Sequence, residues 1–375
     1  MKLKDICKFV NEKVDTSSFH LEDYVSTENL LPNKGGVTVA SKIPQGKATL
    51  FKKGDILISN IRPYFKKIYL AKKQGCCSND VLCIRPNSNI PSSYLYYLLS
   101  QDSFFDYVMT GAKGTKMPRG DKGHIMNWAV YQSTLSQQQN IAEILTPLDD
   151  KIAVNSRICA NLEAQAQALF KSWFVDFTPF KDQPFVDSEL GSIPQGWKVG
   201  TLFDVANLHD RYRRPLSSNQ RSLMAKKYPY YGATSLMDFV EDYIFDGEYV
   251  LMGEDGSVVT EKGYPFIQYV WGKIWVNNHA HVLSGKDGFP TELLIPFLKT
   301  YNIKGLVTGA VQAKLNQANM AQIQIPIPPK ENINNISVII KSIYKKYRLL
   351  TEENQRLAAL RDTLLPKLMS GEIKL

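Results

Sequence analysis

Apolar residues follow two different spacings along this chain. Over residues 1–135, and again over 194–330, short runs of β-branched and aromatic residues are separated by Gly, Pro, Asn and Asp. The runs Asp55–Asn60, Val81–Ile84, Tyr249–Met252 and Ile267–Val276 predict strands, and Ser92–Leu99 and Thr291–Leu298 predict short helices. Residues 136–177 and 331–375 place apolar side chains at alternating steps of four and three. The first stripe is Ile141, Leu145, Leu148, Ile152, Asn155, Cys159, Leu162, Ala166, Leu169 and Trp173. The second is Ile336, Ile340, Ile343, Tyr347, Leu350, Asn354, Leu357, Arg361, Leu364 and Leu368. A repeat of about 3.5 residues is the seam of a coiled coil. Pro147 predicts a kink or interruption in the first helix, Pro179 marks its far end and Gly371 stops the second. Asn155 and Asn354 either fix register inside the seam or sit at partly wet positions. Helices of this length run roughly 60 Å and must cover their stripes. They do so by packing antiparallel on each other, or by pairing with another subunit. Residues 178–193, with Pro179, Pro184 and Gly191, read as an irregular connection.

The two halves repeat. Adding 195 to each number from Gly114 to Trp173 gives Gly309 to Leu368 without a gap. Trp128 falls on Ile323, Val130 on Ile325, Ile141 on Ile336, Leu162 on Leu357 and Leu169 on Leu364. Upstream, Phe51–Ile58 matches Ile244–Leu251, and Leu3-Lys4-Asp5-Ile6 resembles Leu202-Phe203-Asp204-Val205. Each half is therefore a globular unit followed by a long helix.

At 375 residues, the chain suits two or three domains. Its net charge of +9 and pI of about 9.1 favour a polyanionic partner, nucleic acid first. The first residues lack a signal-like apolar stretch, and no run reaches the roughly 18 residues that span a bilayer, so the expected location is the cytoplasm. Five cysteines with no Cys-x-x-Cys spacing favour buried thiols over a disulfide framework or zinc. No phosphate-loop, methyltransferase or His-Glu-x-x-His motif is present. His279 and His281 share one strand face but show no third ligand nearby, so no metal site is expected. Glu254, Asp255 and Glu261 are the nearest approach to a nuclease carboxylate cluster.

This organisation resembles the specificity subunits of type I restriction–modification systems. The match is carried by Gln139–Leu145 and Ala166–Phe177 in the first helix, and by Ile193-Pro194-Gln195-Gly196-Trp197 at the start of the second unit. Tyr230–Thr234, Gly253–Gly256, Trp275–His281 and the tail Leu360–Glu372 complete it. The first unit starts at Leu3 without the Pro-x-Gly-Trp lead of the second. The resemblance implies an α+β fold: two mixed α/β target-recognition domains joined by two long antiparallel coiled-coil helices in a pseudo-twofold repeat. Recognition domain 1 would span 1–135, helical region 1 136–177, the linker 178–193, recognition domain 2 194–330 and helical region 2 331–375.

The resemblance also implies a non-catalytic subunit that reads double-stranded DNA. Its helices would dock two methyltransferase subunits that use S-adenosylmethionine to modify adenine. Two motor-nuclease restriction subunits would bring ATP and Mg chemistry, with no cofactor or metal held by this chain. Each recognition domain would read one half of a bipartite, asymmetric target, with half-site centres about 34 Å, one turn, apart. A stand-alone regulator, or an enzyme with an unrecognised nuclease centre, is the competing reading.

Loops aligned by the repeat, the basic and aromatic cluster at 211–214 and the further loop Tyr231–Thr234 supply the candidate DNA contacts. In the first unit they are Ser59, Asn60, Arg62, Tyr64, Lys116 and Arg119. In the second they are Arg211, Arg213, Arg214, Tyr231, Thr234, Glu254, Asp255, Lys314 and Asn316. Cationic side chains would hold phosphates, and polar ones would read base edges. His281 is expected to be structural. The expected helix-pair seam comprises Ile141, Leu145, Ile152, Asn155, Leu162, Leu169, Ile336, Ile343, Leu350, Asn354, Leu357 and Leu364.

Overall fold

The computed structural model describes residues 1–309 and 312–374. The chain divides into two compact units: Met1–Val154 with Glu353–Leu375, and Asn155–Glu352. In the first, an antiparallel sheet runs in the order Cys7–Phe9, Val81–Pro86, Ile56–Ser59, Ile68–Leu70. A second sheet runs Lys13–Asp15, Lys47–Phe51, Gly75–Cys77, Tyr24–Val25, its last pair parallel. The second unit holds a sheet in the order Ala206–Leu208, Ala280–Gly285, Phe245–Gly253, Ile267–Val276, Tyr228–Tyr231, Leu236–Val240. The short helices form at Ser92–Leu99 and Thr291–Leu298, where their apolar spacing predicts them.

The repeat is kept at the level of single hydrogen-bonded pairs. Phe9 faces Ile84 and Ile56 also faces Ile84; in the second unit Leu208 and Val250 both face Leu283. The Leu3 amide donates to the Trp128 carbonyl, and the Leu202 amide to that of Ile323. The Asp5 carboxylate accepts from the Lys2 amide as Asp204 does from Thr201, each at 2.7 Å. One sequence correspondence shifts: Ile56 matches Val250, one residue later than the alignment of Phe51–Ile58 with Ile244–Leu251 implies. The matched segments Ile56–Ser59 and Val250–Gly253 are buried throughout, so no polar–apolar alternation fixes their register in the sequence.

The long helices span Leu135–Phe174 and Lys330–Ser370. Pro147 does not interrupt the first; it removes one helical hydrogen bond while Leu145 and Leu148 on either side pack into the core. In the first unit, Ile141 and Leu145 share a core with Leu365, Leu368 and Met369, Asp149 pairs with Arg361, and the Asn354 amide donates to the Ile152 carbonyl. In the second unit, the Cys159 thiol lies against the Tyr347 carbonyl, and Ala166, Phe170 and Phe174 share a core with Tyr344, Ile340, Ile336 and Ile333. Within each unit the helical segments run antiparallel and come from one chain. Asn155 is buried and Asn354 half-buried.

The seam drifts from its predicted positions at the end of each helix. Phe170 and Leu365 are buried, whereas Leu169 and Leu364, one residue earlier, are only partly so. Ile152, Leu162, Ile343 and Leu357 are half-buried, and Leu350 is buried. The last turns leave the two-helix seam and bury into the globular core of a unit, and a straight helix repeats every 3.6 residues rather than 3.5.

Residues 178–193 are not an irregular connection. A short turn, Thr178–Phe180, leads to a hairpin of Phe185–Ser188 and Gly191–Pro194. Phe180 and Ile193 enter the core of the second unit. Trp197 sits edge-on to Phe174, Phe177 and Phe180 at centroid separations of 5.6, 5.3 and 5.1 Å. The apolar side chains between the prolines decide the outcome, because burying them outweighs the turn-forming tendency of Pro and Gly.

Candidate nucleic-acid interface

Both units build the same pair of joined loops. In the first, the Arg62 amide donates to the Pro118 carbonyl at 2.8 Å and the Gly120 amide to Asn60 at 3.3 Å, so Ile61 and Arg119 form an antiparallel bridge. In the second, the Gly256 amide donates to Ala313 at 3.0 Å and the Leu315 amide to Glu254 at 2.9 Å, bridging Asp255 and Lys314. Arg119 also bridges Lys113, as Lys314 bridges Thr308. Gly114 and Gly309, which are 195 apart, turn these loops at φ of 93° and 96°, where a side chain would be strained. Asn60 is thus the counterpart of Glu254, again one residue off the sequence alignment.

The first loop pair presents Tyr64, Lys116 and Arg119 to solvent. Arg119 keeps 56% of its side chain exposed while pairing with Asp80 at 3.2 Å. Ser59 is buried and donates its hydroxyl to the Ile61 carbonyl, so it shapes the loop from inside. Arg62 is half-buried at a left-handed φ of 51°. Its Nε and the Asn60 Oδ1 are buried with no hydrogen-bond partner among the described residues.

In the second unit the three arginines separate. Arg211 is exposed, hydrogen-bonded to the Tyr212 hydroxyl and stacked over its ring. Arg214 is exposed, and its carbonyl accepts from the Trp275 indole at 2.6 Å. Arg213 is inside: only 11% of its side chain is exposed, and it pairs with Glu254 at 2.6 Å and Asp210 at 3.2 Å. Two of the expected DNA contacts, Arg213 and Glu254, are therefore engaged with each other. Asp255 pairs with His279 at 2.6 Å. Lys314 and Asn316 are exposed, and the Asn316 side chain caps the helix Gln317–Met320. Tyr231 is half-buried, and Thr234 is exposed in the turn after Tyr228–Tyr231.

The ion network under these loops lies beyond the sequence reading. His281 is buried, with Nδ1 at 2.6 Å from Asp210 and Nε2 at 2.7 Å from the Leu315 carbonyl. Ligand atoms of Asp210, Glu254 and His281 lie within 4.8 Å of one another, so the structure supplies the carboxylates that were not evident beside His279 and His281. The Arg213 guanidinium already stands where a cation would be held. Glu254, Asp255 and Glu261 do not converge: the first pairs with Arg213, the second with His279, and the third is exposed. The cysteines are free thiols, and burial pushes Cys7 and Cys77 up to about 12 and Cys76 to about 11.

Comparison with known proteins gives this architecture its family. A model described as the type I restriction modification DNA specificity domain matches residues 1–164 and again 194–359. A putative type I restriction enzyme specificity subunit of Haemophilus influenzae is 39% identical over 148 residues, 40% of this chain but only 37% of that protein. The HindI specificity subunit of the same organism is 25% identical across 99% of this chain and 98% of its own. The MjaIX specificity subunit of Methanocaldococcus jannaschii is 24% identical, covering 94% and 85%. The crystal structure of a type I restriction–modification S subunit from M. genitalium shares the fold, with a TM-score of 0.59 at 16% identity over 98% of this chain and 95% of that one. With both halves matched by the same model, the chain belongs to the type I restriction–modification DNA specificity family.

Proposed function

We propose that this chain is the non-catalytic specificity subunit of a type I restriction–modification complex, each unit reading one half of a bipartite, asymmetric DNA target. The observation that carries this reading is the duplicated loop pair. One hydrogen-bond frame is built twice, yet its exposed side chains differ: Tyr64, Lys116 and Arg119 in one unit, Lys314 and Asn316 in the other, where Arg211, Arg214 and Thr234 are exposed on separate loops. A common frame holding different polar groups suits one task performed on two different sequences. The net charge of +9 supplies attraction to phosphate. The long helices would dock two methyltransferase subunits and set the spacer. S-adenosylmethionine, ATP and Mg would act in the partner subunits, including two motor-nuclease subunits, within the cytoplasm.

Mapping methylated adenines in cells with and without this gene tests the proposal. Loss of one bipartite asymmetric motif on deletion is expected; an unchanged methylation pattern, with no methyltransferase co-purifying, favours a stand-alone regulator instead. At residue level, Arg119→Ala or Lys314→Ala should weaken binding to every duplex and reduce the salt dependence by about one charge. A salt titration that superimposes on the parent's removes that residue from the contact set.

A further inference from the structure

The ion network beneath the second unit's loops has a specific logic. The Leu315 carbonyl, 2.7 Å from His281 Nε2, can only accept, so Nε2 carries a proton. Nδ1 lies 2.6 Å from the Asp210 carboxylate, which also accepts, so Nδ1 carries one too. Both ring nitrogens face acceptors, an arrangement that an imidazolium satisfies. With Arg213 it balances Asp210 and Glu254, a neutral group of two cations and two anions.

The members of this group come from segments far apart in sequence. Asp210 and Arg213 flank Arg211 and Arg214; Glu254 and Leu315 flank the Asp255–Lys314 bridge. Asp210 also accepts from Gln317 at 3.1 Å and, through its other oxygen, from the Val282 amide at 2.9 Å. Just outside lies the Asp255–His279 pair. At the matching place the first unit is apolar: the residue paired with Ile58, as His281 is with Met252, is the buried Leu82.

We infer that His281 is a positioning residue that, as an imidazolium, ties together the three loops by which the second unit reads DNA, and so makes that unit's half of recognition, and not the first unit's, sensitive to alkaline pH. The inference rests on the proposed role of these loops as DNA contacts. Burial alone would drive the ring neutral, but the hydrogen bond and charge of Asp210, the Leu315 carbonyl and Glu254 outweigh it and hold the proton above the ordinary histidine range. Asp210 in turn stays below its usual range despite burial, because of His281, the Val282 amide and Arg213. A ring whose affinity for its proton is raised on folding stabilises the loops fully below the unfolded value, about 6.5, and loses that contribution as pH rises through its folded value.

Two measurements on the full chain test this. Nitrogen-detected NMR of its five histidines should show a doubly protonated ring signal at pH 7 that is lost in His281→Gln. A neutral His281 tautomer at pH 7 overturns the inference. Amide hydrogen exchange, corrected for intrinsic rates, should then speed roughly tenfold at residues 253–258 and 312–319 between pH 6 and pH 9, with residues 60–64 and 115–121 as the unchanging reference. His281→Gln should show the faster exchange at both pH values. Asp210→Asn should move the transition to lower pH, which a purely structural role would not do. Equal exchange in the parent and in His281→Gln at both pH values refutes the positioning role. Loosened loops with an unchanged methylation motif leave that role standing and refute the reading of these loops as DNA contacts.

Discussion

Trp197→Ala should lower the stability of the second unit by about 3–5 kcal/mol, the range for removing a buried aromatic side chain without full collapse of the site. The indole is 5% exposed and packs edge-on against three phenylalanines drawn from the end of the first long helix and the turn after it. Truncation leaves Phe174, Phe177 and Phe180 facing a cavity and unfastens the Phe185–Pro194 hairpin at its root, where the Trp197 amide donates to the Pro194 carbonyl. Urea unfolding followed by far-UV circular dichroism gives the magnitude. Hydrogen exchange locates it, with acceleration expected at 180–200 and none at 56–59 or 81–86. Trp173→Ala, at a half-buried position, should cost less. A loss below about 1 kcal/mol for Trp197→Ala would show that the cluster repacks around the gap.

The sequence and the structure agree where local pattern controls the outcome. The helices Ser92–Leu99 and Thr291–Leu298 and the strand Ile267–Val276 form at the residues their spacing marks. Agreement weakens where tertiary burial takes over. The seam rotates from Leu169 to Phe170 because the last turns join a globular core, and the hairpin at 185–194 forms because Phe180 and Ile193 have a core to enter. The segment Val250–Gly253 is offset by one residue in the alignment because a run buried at every position carries no alternation to set it. The loops around Asn60, Arg119, Glu254 and Lys314 are legible through the repeat, but the separation of Arg211 and Arg214 from Arg213 is not legible in the sequence. Three arginines within four residues look alike, and what divides them is Glu254, 41 positions from Arg213. His281 was legible as a structural residue, but its partners were not, since they sit at 210 and 315.

Arg361→Ala should cost the first unit about 3 kcal/mol. The guanidinium lies at a seam position of the second long helix, 12% exposed, and meets Asp149 of the first helix at 2.6 Å and the neighbouring Asp362 at 2.9 Å. Burial alone would make it a weaker base, but Asp149 and Asp362 hold it above its usual range. Asp149 also accepts from the buried Tyr97 hydroxyl at 3.0 Å, a partner it keeps in the variant. This places the loss at the lower end of the range for stranding one member of a buried pair. The repeat shows that an ion pair is not required in this layer: 195 residues away, Asp149 corresponds to Tyr344 and Arg361 to Ala166, both buried in an apolar core. Removing both charges together, as Asp149→Leu with Arg361→Met, should therefore recover most of the loss. Chemical unfolding of the two single variants and the double closes the cycle. A double variant as unstable as the sum of the singles would show that the two side chains act independently, and that the ion pair does not define the layer.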